Sequence, residues 1–330
     1  MERVVRHLAV MGTAFGLTIS AATRDVALDS SEAVVRAVEA ADLLLSTWRE
    51  DTPLARLNAA APGVPVPVGP KLFALLRTVF EWEKATEGAF DPAVGPLVTA
   101  WALRTGGRVP DAAALAQARA ASRAALFTFE ESSLSVTRND AFASIDEGAW
   151  GKGWALDRAA EAARDAGASS FVLDLGGQVL AEGEEAAVGV AHPRERARAI
   201  ATLRLRNASA STSGNSERGV GVNRRRIGHL LDPRTGQPAR DFGSVTVVAP
   251  SGLTADVLST ALFVLGPKEG MALSERLRSE GVAHESLFFI EGEEGQALRV
   301  SMSRGMKRLI ELAAPSVPPH SKMPSEGVQP

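Results

Sequence analysis

The 330-residue sequence contains no cysteine and no tyrosine. The first absence excludes disulfides, zinc–thiolate centres, iron–sulfur clusters and lipid attachment through a thiol. The second removes any tyrosyl general acid. Long apolar runs are also missing: no stretch approaches the roughly 18 apolar residues of a membrane span, so no span is expected. Net charge is small, −3, which gives no global attraction to nucleic acid or to anionic lipid. The triplet Arg224-Arg225-Arg226 is the one dense basic run, too short to change that. Neither the Walker pattern nor a Gly-x-Gly-x-x-Gly turn after a strand occurs, so P-loop and Rossmann sites have no support.

What remains is 45% hydrophobic and 23% charged, an ordinary balance for a soluble globular enzyme. The length suits one large domain or two smaller ones. Near the N-terminus, Arg3, Arg6 and His7 precede an uncharged stretch, 8–23, that resembles a secretory leader. Gly12, Thr13, Gly16 and Thr18 interrupt it and Glu2 weakens its basic end, so a first strand or hairpin is expected instead. On that expectation the protein is cytoplasmic, with export as the alternative.

Apolar periodicity predicts helices over 30–48, 70–88, 110–122 and 151–166, and one over 254–265 capped by Thr254 and stopped by Gly266-Pro267. Strands are expected over 10–20, 171–177, 187–191, 200–206, 222–231, 244–249, 287–290 and 297–301, and a loop over 58–70. Strands and helices interleave without a βαβ rhythm, which predicts an α+β fold with a mixed or antiparallel sheet. Residues 1–312 are expected to form the folded domain and the Pro-rich residues 313–330 a disordered tail.

Three patterns carry chemistry. Asp256 and Thr260 stand four apart on the predicted helix, so their oxygens share a face. Oxygen donors suit a hard cation such as Mg²⁺, which suits a phosphate-bearing substrate. The plainer alternative is that Asp256 complements the helix dipole while Thr260 bonds its own i−4 carbonyl. In His229-Leu230-Leu231-Asp232-Pro233-Arg234-Thr235-Gly236, His229 is a candidate general base at neutral pH or a core histidine, and Asp232 a turn residue bonding its own backbone. Gly148-Ala149-Trp150-Gly151-Lys152-Gly153 enters a helix with a lysine inside: its free N–H groups and amine suit phosphate, and read alone it is equally a plain helix N-terminus with permissive glycines. The polar run Ser211-Thr212-Ser213-Gly214-Asn215 and Gly88-Ala89-Phe90-Asp91-Pro92 look like turns.

In order along the chain, these segments resemble the ApbE family, the FAD:protein FMN transferases. The resemblance also takes in Met11-Gly12-Thr13, Ser46-Thr47-Trp48, Asp146 to Asp157 and Leu173-Asp174-Leu175-Gly176-Gly177, and covers about 10–310. It implies a T-fold-like α+β architecture with two subdomains around a flavin cleft. It implies FAD as substrate with Mg²⁺ on its diphosphate, and an acceptor flavoprotein whose Ser/Thr flavinylation motif takes FMN while AMP leaves. By position, Asp256, Thr260 and the Ala149 carbonyl would hold Mg²⁺, and Lys152 and Asp146 would hold FAD. Met11, Trp48, Ala89, Phe90 and Asp91 would line the flavin pocket with Leu231 near it, and His229 would be the base. Three residues depart from the family pattern: Trp48 replaces the usual tyrosine, and Glu147 and Trp150 are expected to alter the cleft or the metal affinity. An FAD pyrophosphatase or a non-catalytic flavin-binding protein are the alternatives.

Overall fold

The computed structural model describes residues 1–215, 219–222, 225–292 and 297–312. The expected tail, 313–330, and Glu217, Arg218 and Arg224 lie outside the described residues.

The leader-like stretch is a hairpin, β1 (Glu2–Val10) and β2 (Thr13–Ala21), turned at Met11 and Gly12 with φ of 51° and 67°. Thr23 accepts the Val26 N–H and so starts α1 (Arg24–Leu45) earlier than its apolar stripe suggests. Next come α2 (Pro53–Ala59), with Thr52 as cap and proline in its first turn, and the short β3 (Val66–Pro67) inside the expected loop. Then follow α3 (Gly69–Ala85), α4 (Gly95–Ala100), α5 (Ala112–Ala121), β4 (Phe127–Glu130), β5 (Ser135–Arg138) and α6 (Gly151–Asp165). The strands β6 (Ser170–Leu175), β7 (Gln178–Glu182), β8 (Ala186–Ala191), β9 (Ala199–Leu205) and β10 (Ala208–Gly214) run consecutively.

The single strand expected over 222–231 is instead β11 (Gly219–Val222) paired with β12 (Arg225–Gly228). After β13 (Gly243–Ala249) comes α7 (Gly252–Ser279), which Ser251, not Thr254, caps by accepting the Thr254 N–H. The helix does not stop at Gly266. That glycine leaves helical geometry (φ 77°, ψ 177°), and Pro267 then restarts the helix in a new direction. Finally β14 (Glu285–Ile290), β15 (Arg299–Met302) and β16 (Ile310–Leu312) complete the described chain.

Eight strands form one sheet in the order β1-β2-β6-β7-β10-β13-β14-β15, and every neighbouring pair is antiparallel. Strand alternation assigns residues to its two faces. Phe15, Leu17, Ile19, Phe171, Leu173 and Leu175 meet α1 and α6, while Val245, Val247 and Phe288 meet α7. On the other face Val179, Ala181, Val248, Leu287 and Phe289 pack against the small sheet β8-β9-β16. Strand β10 alternates in the same way but with a polar inner face: it turns Ala210 to the small sheet and Ser209, Ser211 and Ser213 to the helices. Those hydroxyls open the functional site.

Candidate functional site

Two helix N-termini meet beneath β10. A Cβ on Gly153 would lie 2.2 Å from the Gly252 carbonyl oxygen, and one on Gly252 would lie 2.5 Å from that of Gly153. Only glycine at both positions lets the first turns of α6 and α7 touch backbone to backbone. Asp157 fastens the contact, accepting from the Ser251 hydroxyl at 2.7 Å and from the Gly252 and Leu253 N–H groups at 2.5 and 3.0 Å. Burial raises its pKa, against the pull of those donors.

The crossing puts Asp256 at the focus. Its side chain is nearly sealed, 4% exposed. One oxygen accepts the Gly153 N–H at 3.0 Å, and the other accepts the Ser211 hydroxyl at 3.3 Å with Lys152 Nζ 3.6 Å away. The α6 terminus has no side-chain cap of its own, so Asp256 meets an orphan N–H directly, a favourable place for negative charge. Ser259 extends the polar line, bonding the hydroxyls of Ser213 and Ser211 at 2.9 and 3.2 Å. Gln178 donates to the Gly252 carbonyl at 2.8 Å, and its own Oε1 is buried without a partner. Thr260 is half-buried one turn beyond Asp256 on the unbroken first part of α7. Among the described residues its hydroxyl has no hydrogen-bond partner, unlike Thr78 and Thr86, which bond their own i−4 carbonyls. Of the two expectations for Thr260, the back-bonded one is therefore not what the structure shows.

Trp48 is 69% exposed. The Arg104 guanidinium lies over its ring, 4.9 Å from the centroid, and reaches Asp146 at 2.5 Å and Glu147 at 3.6 Å. Glu147 also accepts from the Thr47 hydroxyl at 2.6 Å; burial first, and Asp146 second, raise its pKa. Trp150 does not line the cleft: it is fully buried in the main core and donates its indole N–H to the Asp146 carbonyl at 2.8 Å. The expectation that its bulk reshapes the cleft is thereby corrected.

Ala89 and Phe90 bury their side chains in the core, so only backbone there can face a ligand. Asp91 is buried too, accepting the Ala93 and Ala124 N–H groups at 2.8 and 3.2 Å, and burial pushes its pKa up to about 7. The same segment anchors the site, because the Pro92 carbonyl accepts the Asp146 N–H at 2.9 Å. Met11 sits half-buried in the β1–β2 turn against the α1–α6 core.

His229 is half-buried directly after β12. Gly228, just before it, packs on Asn215, where a Cβ would lie 2.3 Å from the amide oxygen. Leu231 packs with Leu97, Trp101 and Ala118, closing the loop from below. Asp232 is a turn acid, bonding the Arg234 backbone and guanidinium at 2.9 Å each.

Arg104, Ser211, Ser259 and Gln178 escape sequence patterning. Ser259, three residues after Asp256 and so on its face of α7, had a usable signal; the other three come from distant segments. Two surface grooves, about 440 Å³ beside His7 and Asp174 and about 490 Å³ beside Gly266 and Pro267, contain neither Asp256 nor Trp48.

Fold and site together define an α+β protein in which two helix termini, serine hydroxyls and a sealed carboxylate converge. The chain belongs to the ApbE family, whose sequence pattern matches residues 11–283. A Klebsiella pneumoniae protein named FAD:protein FMN transferase is 31% identical over 81% of this chain and 77% of its own length. An Escherichia coli K12 protein of the same name is 27% identical over 94% and 90%. Among solved structures, the ApbE protein of Thermotoga maritima superimposes with a TM-score of 0.84 at 28% identity, covering 93% of this chain and 99% of the other. The flavinyl transferase ApbE of Pseudomonas stutzeri gives 0.79 at 27% identity, covering 93% and 96%.

Proposed function

We propose that this chain is an FAD:protein FMN transferase, moving FMN from FAD to a serine or threonine hydroxyl of an acceptor flavoprotein with release of AMP. The carrying observation is Asp256, sealed where two helix N-termini meet, followed one turn later by a hydroxyl with no bond of its own. Mg²⁺ is commonly held by one or two carboxylates together with substrate phosphates. The donors present fit that pattern: Asp256 and Thr260 side chains and the Ala149 carbonyl, with no three-membered acidic or histidine cage among the described residues. Mg²⁺ bound there would supply charge neutralisation on the diphosphate.

The chain's own groups do the rest. Lys152, with its amine beside Asp256 and the Gly148 carbonyl, is the point charge for a phosphate oxygen. Trp48 offers its open face to the isoalloxazine, with Met11 and the 89–91 backbone as further wall, Leu231 backing the loop, and Asp146 on FAD. His229 accepts the proton as the acceptor oxygen bonds to the riboflavin-side phosphorus and the diphosphate P–O bond breaks toward AMP. The acceptor segment is expected to read Asp-Gly-x-Ser/Thr-Gly-Ala-Thr/Ser.

No helix among the described residues is long and apolar enough to cross a membrane. A cytoplasmic location is favoured over export because 8–23 is built into the β1–β2 hairpin and the start of α1.

The test incubates the protein with FAD, Mg²⁺ and such an acceptor. Mass gain of one FMN unit on the acceptor is the expected result. FMN and AMP released at equal rates without acceptor would replace transfer by hydrolysis, and FAD retained without turnover would leave only a flavin binder.

A further inference from the structure

We propose that Arg104 is a positioning residue of the flavin wall, locking Trp48 to the Asp146–Glu147 segment. The inference rests on the flavin-binding role of Trp48 given above. An indole that is 69% exposed has little packing to fix its plane, yet a stacking wall must hold one orientation before its ligand arrives. The chain supplies two moorings. Thr47, the preceding residue, bonds Glu147 through its N–H at 3.3 Å and its hydroxyl at 2.6 Å. Arg104 then lays its guanidinium on one face of the indole while gripping Asp146 and Glu147.

The anchor itself is rigid. The Asp146 N–H donates to the Pro92 carbonyl, and its own carbonyl accepts from the sealed Trp150 indole. Rigidity therefore passes from the core through Asp146 to Arg104 and out to Trp48, which stays 69% exposed. Two carboxylates held this close would otherwise repel, and among the described residues Arg104 is the one cation paired with both. Only a planar fork can both stack and grip; lysine keeps the charge but loses the plane. An ordinary ion pair near the surface would contribute almost nothing, and that is the rival account.

The variants are R104A and R104K, each made in the parent and in W48A. Without FAD, acrylamide quenching of Trp48 emission is taken as the difference between each protein and its W48A counterpart. The clamp predicts about twofold easier quenching in R104A and R104K, since both lose the stacked plane. With FAD, titration should show binding about 5- to 30-fold weaker in R104A, the range of a cation–π contact freed from water. The same substitution should cost under about twofold in W48A, because the contact it serves is already gone. Unchanged quenching in R104A, or an equal loss of FAD affinity with and without Trp48, overturns the clamp. If the parent binds no FAD, the flavin role falls, and quenching alone then decides whether Arg104 holds Trp48.

Discussion

Helix α7 carries two buried polar centres, one near each end, and they are built to opposite plans. At the N-terminal end, Asp256 and Ser259 face Ser211, Ser213 and Gln178, and bonding capacity is left over: the Thr260 hydroxyl is unbonded and Gln178 Oε1 has no partner. Past the Gly266 kink, Ser274 bonds both His284 and Ser286, at 2.9 and 3.0 Å. His284 turns its other nitrogen to the Val282 carbonyl at 3.0 Å, and Ser303 joins the Ser286 N–H to Glu285. The second centre closes on itself and holds β14 to the helix. An unsatisfied buried polar group costs about 1–3 kcal/mol; Gln178 Oε1 is such an atom, whereas Thr260 is only half-buried. The difference separates an open polar centre from a closed staple on one helix.

The sharpest way to break this contrast is Asp256→Asn, which keeps the shape and an acceptor for the Gly153 N–H but removes the charge. FMN transfer to the acceptor should fall by at least about 10³-fold, with the thermal midpoint nearly unchanged. A variant retaining a tenth of parental turnover would make the first centre a staple as well. His229→Ala should follow, with kcat down about 10²–10⁴-fold and FAD affinity held; a loss under tenfold would reduce the imidazole to positioning. Smaller in energy is Gly153→Ala, whose methyl must displace the Gly252 carbonyl. Denaturant unfolding should show about 1–3 kcal/mol lost, and activity should drop further than that because the α6 N–H leaves Asp256. Full activity there would mean the helix crossing does not build the site.

The two halves of α7 also show what could be read from sequence. The Asp256/Thr260 pair was legible because helical spacing alone puts both on one face. The length of the helix was not, since Gly266-Pro267 has the composition of a stop, and only the packing of Leu273 and Leu277 into the core shows that the chain resumes. Strand β10 hid for a related reason. Its inward face is serine, so no apolar alternation marks it, and a run of hydroxyls reads as a turn until Thr212 pairs with Thr246 across the sheet at 2.8 Å. Trp150, expected to alter the cleft or the metal affinity, has its side chain in the core instead. The Arg104 contacts join segments some forty to sixty residues apart, and no local pattern carries that.

The staple makes its own prediction, the smallest and the most specific. A carbonyl can only accept, so His284 carries its proton on Nδ1 and takes the Ser274 hydroxyl on Nε2. That is the neutral ring, and burial lowers its pKa below the ordinary value. Below about pH 6.5 the unfolded chain therefore binds a proton that the folded chain refuses. By linkage, stability falls as pH drops through that value and continues to fall until the depressed folded pKa is reached, by at most about 1.4 kcal/mol per pH unit. Asp91 and Asp157 shift the other way: their raised pKa values add stability as pH falls. The measurement is thus a difference, the thermal midpoint of the parent minus that of His284→Gln from pH 7.5 to 5. The gap should narrow steadily below pH 6.5, because the amide cannot charge. A gap that stays constant would mean that His284 is protonated in the fold, and the closed network would then have to be redrawn around a cation.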